Sequence, residues 1–134
     1  MYKRQLVDDG TGGLSYEVIG IAIAIHRKYG PGLLEQAYVR PLVIELRAAG
    51  HEVDCQPRLA LVHAGVTIAN AYRPDLVVNR RLVVEAKVVA ALLPVHRQQL
   101  KTYLTLADIP VGLLINFNAS VLRHGIRRVF RGDP

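Results

Sequence analysis

The chain is short of the residues that staple, stack or span. It has one cysteine, no tryptophan, one methionine and two phenylalanines among 134 residues. A single cysteine, Cys55, can form no internal disulfide and cannot by itself build a structural zinc site. A disulfide scaffold and a zinc ribbon are therefore excluded, and a reducing cytoplasm is the expected setting. Cys55 is expected as a small buried hydrophobe. With so few large aromatics there is little material for a platform on which bases stack, which disfavours sequence-specific reading of single strands. Long apolar runs are missing as well. Val18–Ile25 and Val111–Ile115 fall far short of the roughly 20 residues a spanning helix needs. The first residues (MYKRQLVDDGTGG) lack the apolar centre of a secretory signal. A membrane partner is not expected.

What remains is a chain of 51% hydrophobic and 21% charged residues, which fits one folded domain with its own core. Residues 1–13 are expected to be disordered or frayed, and 14–134 to form the single domain. The mean hydropathy of +0.21 in so charged a small chain hints at a buried interface, so a homo-oligomer is an expectation. The net charge of +6 is unevenly placed. Residues 1–67 hold seven Lys/Arg and seven Asp/Glu, whereas residues 68–134 hold ten and four. A half-chain this basic suits a polyanion such as nucleic acid. A basic solubility surface explains the charge equally well.

The hydrophobic period changes along the chain. Leu14–Tyr29 reads as a helix with Ser15 as N-cap and a stripe of Val18, Ile21, Ala22 and Ile25. Gly30-Pro31-Gly32 ends it. A second helix is expected over Leu33–Ala49, closed by Gly50, with a kink or break at Pro41. Then the period becomes two. Glu52–His63 reads as a strand with Pro57 at a bulge or edge, Ala64-Gly65 as a turn, and Val66–Val78 as a long strand. Asn79-Arg80-Arg81 reads as a tight turn and Leu82–Val89 as the return strand. Pro94 introduces a helix over Val95–Ala107. Val111–Phe117 suits a strand buried on both faces, and Ile126–Arg131 an edge strand. The order predicts an α/β sandwich with a mixed sheet.

One hairpin carries chemistry. If Asn79-Arg80-Arg81 is a three-residue loop, Val78 pairs with Leu82 and Asp75 stands directly opposite Glu85. Lys87, two residues beyond Glu85, then shares their face. Facing carboxylates about 5 Å apart are mutually destabilising unless a proton or cation lies between them. Oxygen-only ligation suits Mg²⁺ or Mn²⁺. Such an ion can lower the pKa of a bound water and stabilise a pentavalent phosphorane, with Lys87 positioning the water or neutralising charge. From the residues alone, an ordinary ion pair of Glu85 and Lys87 with Asp75 at a strand end is the readier explanation, because short D…E-x-K matches are frequent.

Pro74-Asp75 followed by Glu85-Ala86-Lys87 resembles the signature of PD-(D/E)XK nucleases. Gly32-Leu33-Leu34-Glu35-Gln36-Ala37-Tyr38 resembles the motif that names the GxxExxY proteins of that superfamily. His26-Arg27, Gly30-Pro31-Gly32, Tyr72-Arg73, Leu92–His96, Gln99 to Tyr103 and Gly112–Phe117 agree in order, over about residues 14–131. The resemblance implies a restriction-endonuclease-like core (α-β-β-β-α-β), a mixed sheet flanked by helices. It implies a divalent-metal-dependent nuclease, with DNA ahead of RNA as substrate. It assigns Asp75 and Glu85, with Glu35, as metal ligands and Lys87 as the catalytic lysine. Gln99 and Tyr103, four apart on one helix, match a Gln-x-x-x-Tyr motif that orients the lysine or contacts nucleic acid. Tyr38, Arg73 and His96 are the remaining candidate nucleic-acid contacts. Arg80, Arg81, Arg123, Arg127, Arg128 and Arg131 are candidate phosphate contacts or charges that block edge pairing. Pro41 and Ala86 depart from the usual pattern. The alternative is a catalytically silent nucleic-acid-binding or assembly module on the same fold.

Overall fold

In chain order, a computed structural model describing residues 9–134 forms α1 (Leu14–Tyr29), α2 (Glu35–Ala48), β1 (Val53–Cys55), β2 (Leu59–His63), β3 (Val66–Tyr72), β4 (Leu76–Val78), β5 (Leu82–Lys87), α3 (Pro94–Ala107), β6 (Val111–Asn116) and β7 (Ile126–Phe130), with a 3-10 turn at Leu122–Gly125 before β7. The five strands of the main sheet run in the order β1-β4-β5-β6-β7, and β2 and β3 make a separate hairpin. The pair β5 and β6 is parallel and the other pairs are antiparallel. A parallel pair needs a crossover, and α3 supplies it. The result is the mixed sheet flanked by helices expected of a restriction-endonuclease-like core.

The side-chain period of two sorts the core into layers. Leu76, Val78, Leu82, Val84 and Ile115 join Val18, Ala22, Leu42 and Leu46 of α1 and α2 on one face. Val77, Val83 and Leu114 join Leu100, Tyr103 and Leu104 of α3 on the other. Each large apolar side chain so buried contributes about 1.5–3 kcal/mol relative to exposure. All six residues of β6 are buried, as its continuous apolar run requires, and β7 lies at the sheet edge.

Several boundaries differ from expectation. The strand expected over Glu52–His63 is two strands, because Gln56 adopts a left-handed backbone (φ 46°) and Pro57 has no N–H to donate. The strand expected over Val66–Val78 also splits, at Arg73-Pro74-Asp75. The Gln56 N–H donates to the Asp75 carbonyl at 2.8 Å, so the two breaks are tied together. The return strand ends at Lys87 rather than Val89. Helix α2 starts at Glu35, not Leu33, and runs through Pro41 without interruption. Helix α1 is not capped by Ser15. Its N-cap position is Gly13, and the Thr11 hydroxyl accepts from the Ser15 N–H at 3.2 Å. The expected frayed segment lies mostly outside the described residues. Within them, Asp9 pairs with Arg128 at 2.9 Å and hydrogen-bonds Ser15. Cys55 is exposed, not buried. Among the described residues no helix is long and apolar enough to cross a membrane.

Candidate active site

The turn between β4 and β5 sets the register of the site. Asn79 and Arg80 both take positive φ (52° and 54°), and the Arg81 N–H closes the turn on the Val78 carbonyl at 3.0 Å. Two consecutive left-handed residues match the strand twist of a tight hairpin. Val78 therefore pairs with Leu82 and Leu76 with Val84. One step further, regular pairing stops and side chains take over. The Asp75 N–H donates to Glu85 Oε1 at 2.6 Å, and the Ala86 N–H donates to Asp75 Oδ2 at 2.8 Å. Each carboxylate thus holds the other strand's backbone. Pro74 contributes by ending β3, which frees Asp75 from the hairpin ladder.

Both carboxyls are buried, Asp75 at 8% and Glu85 at 5% exposure. Burial raises the Glu85 pKa first and the facing Asp75 charge raises it further, to about 8, against the smaller opposing pull of Asp75's N–H and Lys87. Burial also raises Asp75, opposed by the Ala86 N–H and by Lys87. Two buried oxygen donors that resist joint ionisation are the setting a hard divalent cation relieves, and Mg²⁺ takes one or two carboxylates with waters completing its shell. The residues present fit such an ion.

Lys87 stands half-buried beside them, its Nζ 3.8 Å from Glu85 Oε2 and donating to Gln99 Oε1 at 3.4 Å. Gln99 comes from α3, so the crossover helix orients the lysine. Tyr103, one turn further on, meets Tyr72 in a T-shaped pair with ring centroids 5.9 Å apart, and burial followed by the Glu85 and Asp75 charges pushes its hydroxyl up to about 12. At 5% exposure it walls the site from inside. Glu35, the first residue of α2, is half-buried. Burial raises its pKa, Asp75 adds to the rise and Lys87 opposes it. It feels the pair across the sheet end, but no group of three His, Cys, Asp or Glu close enough to hold a metal occurs among the described residues. Among the described residues, the bonded carboxylate cluster is Asp75 with Glu85.

Tyr38 departs from expectation. It is completely buried, stacked on Phe117 with ring centroids 4.5 Å apart. Its hydroxyl donates to the Gly30 carbonyl at 2.5 Å and accepts from the Leu33 N–H at 3.1 Å. It braces the α1–α2 connection and cannot touch a nucleic acid. Arg73 is exposed and donates to Gln56 Oε1 at 3.2 Å. His96 accepts the Leu93 N–H on Nδ1 at 2.9 Å, which caps α3. Asn116 was not foreseen. Buried at the end of β6 opposite Lys87, it accepts the Val89 N–H at 3.1 Å and donates to the Val89 carbonyl at 2.9 Å. It fixes the chain leaving Lys87. Only the parallel register of β5 and β6 brings them together, and no local spacing signals that. The arginines disperse. Arg80 and Arg81 sit in the turn at the far end of β4 and β5, while Arg128 pairs with Asp9 and Arg131 with Asp108.

Residues 13–129 match a family model described as the PD-(D/E)XK nuclease superfamily. No curated protein matches the chain. A solved structure described as "Crystal structure of SSO0001" is similar at 17% identity and a TM-score of 0.48, over 84% of this chain. The match spans 61% of that chain's length.

Proposed function

Because this chain belongs to the PD-(D/E)XK nuclease superfamily, whose members are metal-dependent hydrolases of phosphodiester bonds, we propose that it cleaves nucleic acid, DNA ahead of RNA, at Asp75, Glu85 and Lys87. The observation that carries the reading is the crosswise bonding of Asp75 and Glu85 to each other's strands, with Lys87 held beside them by Gln99. Asp75 and Glu85 would hold Mg²⁺ or Mn²⁺. A bound divalent ion supplies an activated water and Lewis-acid stabilisation of phosphoryl charge. Lys87 keeps a cationic donor at the rim, where it orients a water or meets charge developing on the phosphate. Gln99 fixes the direction of that ammonium. Glu35 adds a third negative charge across the sheet end. Duplex DNA is favoured because Phe117 and Tyr38 are consumed by the core, which leaves few rings for stacking single strands.

The test is plasmid nicking with Mn²⁺ and with EDTA. Cleavage is expected with Mn²⁺ alone, and Lys87→Ala should lower it at least 100-fold with folding and Mn²⁺ binding retained. Undiminished cleavage by Lys87→Ala refutes the mechanism. The second reading, a catalytically silent binding or assembly module, draws on the lack of a third carboxylate in the ligand cluster among the described residues. It predicts equal heats when Mn²⁺ is titrated into wild type and Asp75→Ala.

A further inference from the structure

Away from the carboxylates, a cavity of about 620 Å³ opens between the end of α1 and the β6–β7 connection, with His26, Arg27, Ser120 and Arg123 on its wall. No acidic residue lines it. Arg27 and Arg123 are exposed, and neither has an ion-pair partner among the described residues. His26 is 6% exposed, and its Nε2 has no hydrogen-bond partner there. Buried polar nitrogens are ordinarily paired, and one without a partner marks a place for an ion, water or ligand. Two free guanidiniums, a hydroxyl and an imidazole, with no carboxylate among them, form a donor set for phosphate oxygens.

The cavity lies at the catalytic end of the sheet. Strands β5 and β6 run parallel with Lys87 opposite Asn116, so the chain running on to Ser120–Arg123 leaves by the edge that carries Lys87. The end of α1 is drawn to the same edge, because Tyr38 bonds the Gly30 carbonyl and stacks on Phe117. We propose that this cavity holds a backbone phosphate of the nucleic-acid strand whose scissile bond lies at Asp75 and Glu85. The anion preference stands on the cavity alone, while the source of the phosphate rests on the nuclease reading.

Two measurements test it. Inorganic phosphate titrated into histidine-¹⁵N-labelled protein in EDTA should move the His26 imidazole resonances saturably, and Arg27→Ala/Arg123→Ala should abolish that movement. A 20-base-pair fluorescein-labelled DNA duplex in EDTA should bind the double variant at least tenfold more weakly, with a salt slope smaller by about one. Arg81→Ala, which removes the same kind of charge at the opposite end of the sheet, should change affinity less than twofold. Absence of a His26 response, or no DNA binding in wild type, overturns the proposal. So does equal weakening by Arg81→Ala. A His26 response with unchanged DNA affinity in the double variant marks a free-phosphate site and also overturns it. Cleavage with Mn²⁺ and its loss in Lys87→Ala are read separately, so either idea can fail while the other stands.

Discussion

Replacing Glu85 by glutamine removes a buried charge that the fold carries, desolvated and facing Asp75, in the absence of metal. Glutamine keeps an oxygen to accept the Asp75 N–H, now at 2.6 Å, and removes the buried charge facing Asp75. Directly opposed carboxyls about 5 Å apart, at an effective dielectric of about 20, repel by about 3 kcal/mol. Lys87, 3.8 Å from Glu85 Oε2, offsets part of this. Glu85→Gln should therefore stabilise the metal-free protein at pH 8 by roughly 1–3 kcal/mol. The pH dependence follows from the sign of the shift. Glu85 holds its proton to about pH 8 when folded, against 4.5 for the ordinary carboxyl. Between those values the native state binds more protons than the unfolded one, so wild-type stability falls as pH rises across that window. Below it the two states carry the same proton and the penalty is absent. Urea denaturation in EDTA at pH 5 and pH 8 reads this directly. The gain from Glu85→Gln should be large at pH 8 and small at pH 5, and Mn²⁺ should stabilise wild type far more than the variant. A variant less stable than wild type at pH 8, or an equal Mn²⁺ effect on both, would refute the reasoning.

Tyr38→Phe keeps the stack on Phe117 but strands the Gly30 carbonyl and Leu33 N–H, so it should cost about 1–3 kcal/mol in urea denaturation and leave DNA affinity at saturating stability unchanged. Asn116→Ala removes two of the bonds that hold Val89 and leaves the Asn118 amide on its carbonyl. Cleavage should drop more than Mn²⁺ affinity, because the chain leaving Lys87 loosens while Asp75 and Glu85 stay in place. Pro41→Ala restores an N–H inside a helix that already runs unbroken, and thermal denaturation should show a gain of up to about 3 kcal/mol; a loss would mean that the proline ring packs usefully.

Helix α1, the buried run of β6 and the β4–β5 register were legible because each depends on neighbours in sequence: an apolar stripe, a continuous apolar run, a polar three-residue turn between two apolar segments. Asp75, Glu85 and Lys87 were found together for the same reason, since a hairpin converts sequence separation directly into opposition across two strands. The GxxExxY motif pointed to Glu35 and Tyr38 as one unit, yet their side chains part company. Tyr38 faces the core and Glu35 the sheet end, because adjacent turns of α2 meet different neighbours.

Composition and local pattern by themselves determined the layers, the hairpin register and the acid–acid–lysine set. Tertiary structure decided what those patterns meet. It broke both long strands where Gln56 binds the Asp75 carbonyl, turned Tyr38 inward onto Phe117, and set Gln99 and Asn116 around Lys87 through the α3 crossover and the parallel register. These pairings join residues 12 to nearly 80 positions apart. Contacts at that range are chosen by how whole elements bury their faces, which no window of sequence contains.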